Sequence, residues 1–298
     1  MPIMSEVFLG GEALAAGRVT RHELRRWYRT IYRGVYVPKD AEVSLRDRAI
    51  GAWLASGRKG AIAGIAASAL HGAPWVDPGQ AIELVGVKMR PQAGLVTRTE
   101  RIADDEITRA SGLPVTTRVR TAFDMGRHLD PPDALARLDA LMWNQRFSVD
   151  EVRALAQRYP RAADRRQLLD LLPLVDGGAA SPRESRIRLW LIDTGFPQPE
   201  TQIPVLIGSR PVAFLDMGWP EFQVAVEYDG DHHRKDRRQY VKDISRLRML
   251  EELGWIVIRV IAEEKPAAWL ARVEVALVSR GCTIEINELQ RLTRNFAA

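Results

Sequence analysis

The chain has 298 residues, 46% hydrophobic and 27% charged, the balance of a soluble globular protein of about two domains. Lysine and arginine number 43 against 38 acids, a net charge of +5 that admits a polyanionic partner without demanding one. The single cysteine, Cys282, excludes an internal disulfide framework and a cysteine-rich zinc module.

Residues 1–9 lack the basic patch and apolar core of a secretory signal. No apolar run reaches the roughly 18 residues a membrane span needs. A cytoplasmic location without a membrane partner is expected. Residues 12–16, Gly17 and residues 20–28 read as helix, glycine turn, helix, with Thr20 as N-cap and Glu23 in the reciprocal position. Residues 31–37 alternate around Gly34 as a tight hairpin does. Together these make a winged-helix arrangement, whose second helix enters the major groove while the hairpin lies on phosphates. Arg21, Arg25 and Arg29 follow one another at one-turn spacing, Arg26 lies beside them, and Arg33 flanks the hairpin turn. Guanidinium groups reach both phosphate oxygens and guanine edges, so these five are candidate DNA contacts. The plain alternative is a solvated, arginine-rich helix.

From about residue 49 to 172 the pattern is mainly helical around one short strand at 81–87. Residues 61–71 are alanine-rich and read as helix. Asp130 with two prolines suits the start of a helix at 131–146, and Ser148 with Glu151 suits the start of another at 149–158. His71, Asp124 and Asp139 read as structural, His128 as solvated, and Trp53, Trp75, Trp143, Trp190 and Trp255 as core anchors. The small residues at 176–181 read as a linker. Three domains are expected: 1–48 a winged helix, 49–175 a mainly helical region, and 176–298 a region carrying chemistry.

In that last region a strand ends in Phe214-Leu215-Asp216, and Glu227 follows near the end of a second strand at 222–228. Alternation puts Phe222, Val224, Val226 and Tyr228 on one face and Gln223, Ala225, Glu227 and Asp229 on the other. Gly218 and Pro220 between the strands predict a hairpin that brings Asp216 close to Glu227. Convergent carboxylates repel unless a cation neutralises them, and all-oxygen ligands favour magnesium or manganese. Such an ion activates water and stabilises charge on a phosphodiester. Gly230-Asp231-His232-His233 sets two imidazoles just beyond, suited to proton transfer or hydrogen bonding. A helix at 236–253 carries Asp243 and Arg246 at i, i+3, a spacing at which they can pair. Gly254 stops it, and in the strand at 255–261 Arg259 is the charged member.

This region resembles the PD-(D/E)XK nuclease superfamily, in the branch of very-short-patch mismatch-repair endonucleases. The resemblance lies in Phe214-Leu215-Asp216, Val226-Glu227-Tyr228-Asp229-Gly230 with His233, Asp243 with Arg246, and Gly254-Trp255 with Arg259. It implies that Asp216 and Glu227 bind metal and that His233 assists catalysis. Asp229 stands where the superfamily usually has lysine, a replacement shared with the mismatch-repair branch, which leaves the water-activating group open. Glu184, in Ser181-Pro182-Arg183-Glu184, matches the first-helix glutamate of such domains and equally completes a capping box. Near the other end, residues 19–38, above all Arg33-Gly34-Val35-Tyr36-Val37, resemble the winged-helix domain of AbiE-type antitoxins. Ala67-Ser68-Ala69-Leu70-His71-Gly72 and Arg120-Thr121-Ala122-Phe123-Asp124 resemble the middle region of those proteins. That resemblance implies DNA binding and a cognate toxin, as gene or protein, as partner.

The expected fold class is α+β and α/β: an N-terminal winged helix, a mainly helical middle region, and a restriction-endonuclease-like mixed sheet flanked by helices. Two functions follow: a magnesium- or manganese-dependent DNA endonuclease, or a non-catalytic antitoxin-type regulator that keeps a nuclease-like fold for binding.

Overall fold

Short strands alternating with capped helices build the first of two units into which the chain divides, Met1–Pro173 and Leu174–Ala298. The computed structural model describes residues 6–230 and 237–284, with backbone alone at 237–242. Strand β1 (Phe8–Leu9) leads into helices α1 (Gly10–Ala15) and α2 (Arg21–Trp27), then the hairpin of β2 (Tyr28–Tyr32) and β3 (Val35–Pro38). The sheet runs β1-β3-β2. Thr20 opens α2 through a reciprocal capping box: Glu23 N–H donates to its hydroxyl at 3.2 Å, and its own N–H donates to Glu23 at 2.8 Å. Phe8, Ala13, Val19, Leu24 and Tyr28 pack beneath.

The second helix ends at Trp27, two residues short of Arg29. Tyr28 is already extended, at φ −122°. Arg29 therefore lies on β2, opposite Val37 of β3, and not on a helix with Arg21 and Arg25. The cause is local: the run Tyr28–Tyr32, rich in aromatic and β-branched residues, pairs with β3 apart from a register shift between Thr30 and Tyr32, and Gly34, at φ 76°, suits the tight turn between them.

The middle of the chain departs further from expectation. After α3 (Leu45–Ala55) come β4 (Ala61–Ala63), α4 (Gly64–Leu70), β5 (Ile82–Val85), β6 (Leu95–Arg98), β7 (Ile107–Ala110) and β8 (Leu113–Thr116). These strands form a mixed five-stranded sheet in the order β6-β5-β4-β8-β7, where sequence patterning predicted helices around one strand. Central β4 is buried at all three residues, so it shows no alternation, and its alanines imitate a helix. Gly64, at φ 58°, turns the chain from β4 into α4. Helices α5 (Arg118–His128), α6 (Pro131–Met142), α7 (Val149–Arg158) and α8 (Arg165–Leu171) complete the unit. Trp75 and Trp143, expected in the core, are 39% and 41% exposed and meet edge to face at 5.3 Å.

The second unit contains α9 (Pro182–Asp193), β9 (Glu200–Ile207), β10 (Arg210–Trp219), β11 (Val224–Asp229), α10 (Arg237–Glu252), β12 (Ile256–Ile261) and α11 (Pro266–Ser279). The sheet order is β12-β11-β10-β9. Antiparallel hairpins join β9, β10 and β11, and β12 lies parallel to β11 after α10. Val224 and Val226 pack with Ile187 and Leu191 of α9 and with Trp269, Leu270 and Val273 of α11. Gly218 does not turn the chain as predicted. Strand β10 runs through it to Trp219, and the glycine is needed for close approach to β11, since a Cβ there would lie 2.3 Å from the Val224 carbonyl oxygen. Trp190 is another misassigned anchor, at 42% exposure. Among the described residues no helix is long and apolar enough to cross a membrane.

Candidate functional site

The sheet of the second unit assembles the acidic residues singled out in the sequence. Met217 pairs with Val226, so the next register step sets Asp216 beside Glu227. The Tyr228 N–H donates to Asp216 Oδ2 at 2.9 Å and fixes that carboxylate. Across the parallel side, Glu227 is in register with Arg259, whose guanidinium pairs with Asp229. From α10, Arg246 donates to both Glu227 oxygens, at 2.9 and 2.5 Å, and to the Phe214 carbonyl at 2.8 Å. Arg246 thus grips an acid on a neighbouring strand, a pairing the i, i+3 spacing to Asp243 does not reveal. Asp216, Glu227, Asp229, Asp243, Arg246 and Arg259 together line a cavity of about 300 Å³.

Glu184 joins this group electrostatically. Its carboxylate accepts the Ser181 hydroxyl and the Ala180 N–H, each at 2.8 Å, while its own N–H donates to Ser181 at 3.2 Å. The Ser181 cap predicted at the start of α9 is therefore present, while the returning arm of Glu184 takes the Ala180 N–H in place of the Ser181 N–H of a capping box. Burial pushes Glu184 up to about 7, with the charge of Asp216 adding to the shift. Asp216 rises to about 6, first through burial; Glu227 pushes the same way, and the Tyr228 N–H pulls against both. Asp216 and Glu184 are oxygen donors whose negative charge burial disfavours, which fits a hard divalent cation, whereas a cation at Glu227 would have to displace the Arg246 fork. His232 and His233 lie outside the described residues.

In the first unit Arg21, Arg25, Arg26, Arg29 and Arg33 are all exposed. Arg25 Nε donates weakly to the Arg21 carbonyl at 3.4 Å, and the Arg26 guanidinium lies 4.8 Å over the Trp27 ring. Arg29 differs, because its Nη2 donates to the Ala41 carbonyl at 3.0 Å and ties the strand to the following loop.

A second charged array went unread in the sequence. On α5, Arg120 Nε contacts both Asp124 oxygens at 3.0 Å, and the same guanidinium pairs with Glu106. Arg127 reaches Glu100 at 2.6 Å and Asp124 at 3.2 Å, Tyr159 donates to Glu106 at 2.7 Å, and His128 meets Glu100 at 2.9 Å. His128 is therefore not the solvated residue expected. His128 and Arg127 hold Glu100 down at about 2 against partial burial. Glu100, Asp124 and His128 bring ligand atoms within 4.8 Å of one another, but Arg120 and Arg127 already neutralise the acids, which makes the array an ion-pair network. Its sequence signal was the i, i+4 spacing of Arg120 and Asp124 with Arg127 three residues on. His71, taken as structural, meets the Thr116 carbonyl oxygen at 2.7 Å.

Residues 61–174 match the family described as the AbiEi antitoxin C-terminal domain. The match covers β4 through α8 and encloses both 67–72 and 120–124. It thus falls on the region in which the sequence disclosed no chemistry. Two proteins of Mycobacterium tuberculosis, the uncharacterized protein Rv2248 of strain ATCC 25618 / H37Rv and the uncharacterized protein MT2308 of strain CDC 1551 / Oshkosh, are each 32% identical over 259 residues. Those residues are 84% of this chain and 90% of each relative.

Proposed function

This chain belongs to the family of the uncharacterized mycobacterial proteins Rv2248 and MT2308, and from that membership and its antitoxin-type segment we propose that it is a DNA-binding regulator of the antitoxin type. The observation that carries the reading is the AbiEi-type segment at 61–174, preceded in the same unit by a capped helix and hairpin bearing exposed arginines. Helix α1, the turn at Gly17, helix α2 and the β2–β3 hairpin fit a winged helix. In it Arg21 and Arg25 face the groove and Arg33 approaches phosphate from the hairpin tip. A cognate toxin, as gene or protein, is the implied partner. The test is titration of duplex DNA from the chain's own promoter region at several salt concentrations. Binding that tightens as salt falls, and that R21A/R25A weakens at least tenfold, is expected. Unchanged affinity and salt slope in R21A/R25A would overturn the reading.

A second reading is favoured by a separate observation, the register that sets Asp216 beside Glu227 with Glu184 in electrostatic reach. The second unit then acts as a restriction-endonuclease-like module. Asp216 and Glu227 would hold magnesium or manganese, which when bound supplies water activation and charge stabilisation on a phosphodiester. Glu184 and Asp229 border the site, and His233 is the proton-transfer group that the nuclease resemblance names. Calorimetric binding of magnesium or manganese that D216N removes, with nicking of supercoiled DNA lost in D216N and E227Q, is the expected outcome. Nicking at the parent rate in both variants would sink it.

A further inference from the structure

The hairpin turn of the first unit does not stand alone. The Arg33 N–H donates to the Gln92 side-chain oxygen at 2.9 Å, and the Tyr32 hydroxyl reaches the Gly94 carbonyl at 3.5 Å. These bonds fasten the loop after β5 to the tip between β2 and β3. Between the two, and against Ser56 at the end of α3, lies a concavity of about 490 Å³ lined by Arg33, Lys88 and Arg90. No acid lines it. All three cations are exposed, and among the described residues none of their side chains bonds to another protein group. Several other arginines of the unit are committed to acids: Arg58 to Glu12, Arg98 to Glu83, Arg158 to Asp105. Three unpaired cations around a hollow repel one another and concentrate anions.

We propose that Lys88 and Arg90, with Arg33, form a phosphodiester-backbone site that continues the DNA contact of the hairpin onto the antitoxin-type segment. The inference rests on the DNA-binding reading and adds a second anchoring point to it. Lysine suits the task as a mobile point charge, and arginine as a planar fork for two phosphate oxygens. Such contacts position the duplex without reading its sequence. The site would therefore add affinity and salt dependence, leaving base preference to α2.

The experiment compares the full chain with K88A/R90A and with R21A/R25A on a 40-base-pair duplex from its own promoter region and on a scrambled duplex of equal length. Thermal melting serves as a folding control. For K88A/R90A, affinity should fall by a similar factor on both duplexes. The plot of log K against log salt should flatten by about 1.8, the equivalent of two phosphate contacts. R21A/R25A should instead lose more on the promoter duplex. If R21A/R25A weakens binding and K88A/R90A changes neither affinity nor slope, the added site is overturned while DNA binding stands. Unchanged binding in both variants overturns the two together. Loss in K88A/R90A of binding to polyglutamate, with duplex binding intact, would overturn it in favour of an acidic protein partner.

Discussion

Arg246 on α10 holds both carboxylate oxygens of Glu227 on β11, so a helix and the strand beneath it are joined by a forked ion pair. Glu227 is 8% exposed, so water cannot readily replace that fork. Arg246→Ala is expected to destabilise the second unit by roughly 1–3 kcal/mol, the cost of leaving a buried acceptor without its partner. Urea unfolding followed by tryptophan fluorescence measures this. The pair E227Q/R246A should cost less than the sum of the two single changes, and strict additivity would refute the coupling.

Arg120 is 1% exposed and serves Asp124 and Glu106, themselves 1% and 3% exposed. Replacing it with methionine keeps the bulk and takes the enclosed guanidinium from two buried acids, leaving Asp124 with Arg127 and Glu106 with Tyr159 and Arg158. A loss of about 3–5 kcal/mol is expected at pH 7. A midpoint shift in urea that amounts to less than 1 kcal/mol would mean the acids find other partners.

Glu184 and Asp216 set a pH dependence of definite sign. Their folded values, about 7 and about 6, lie above the ordinary 4.5 and 3.8, so the fold keeps protons that the unfolded chain releases. Their contribution is full below pH 4 and declines as pH rises through about 6 and about 7. The slope is at most about 1.4 kcal/mol per pH unit for each carboxyl. Denaturation of the second unit at pH 5 and pH 8 should reveal the decline, and E184Q/D216N should flatten it. A parent protein that gains stability over this range would contradict the assignment.

Arg29 separates the helix reading from the strand reading. Its guanidinium holds the Ala41 carbonyl, whereas Arg21 and Arg25 stand on α2. R29A should weaken duplex binding less than twofold, while R25A weakens it about five- to tenfold at low salt. Equal losses would place all three arginines on one DNA-facing surface.

Thr20→Ala removes the cap that starts α2 and should cost about 1 kcal/mol. Because α2 carries Arg21 and Arg25, duplex affinity should fall with it. Thr20→Asn should restore both stability and binding, since asparagine also caps.

The features that short-range chemistry dictates were readable in the chain. Thr20 with Glu23, Ser148 with Glu151 and Ser181 with Glu184 each start a helix, because a capping hydroxyl and the N–H that donates to it lie three residues apart. Alternation around Glu227 correctly set Val224 and Val226 on the packed face. Pairings between distant residues were not readable. Arg246 lies 19 positions from Glu227, and Arg33 lies 59 from Gln92, so neither contact leaves a periodic trace. Strand β4 was hidden for a different reason: a short segment enclosed on both faces has no polar beat to betray it. Trp75 and Trp143 misled because aromatic residues in apolar patterns are usually enclosed, and these two are left half open by the turns that carry them.

The parallel pairing of β11 with β12 sets an order of events during synthesis. The β10–β11 hairpin brings Asp216 to Glu227 using residues that leave the ribosome almost together. Arg259 can reach Asp229 only after α10 and all of β12 have followed, since a parallel neighbour needs the whole crossover in place. A chain ending near residue 250 would thus carry its acidic pair without Arg259 and would leave that edge of β11 without its parallel neighbour.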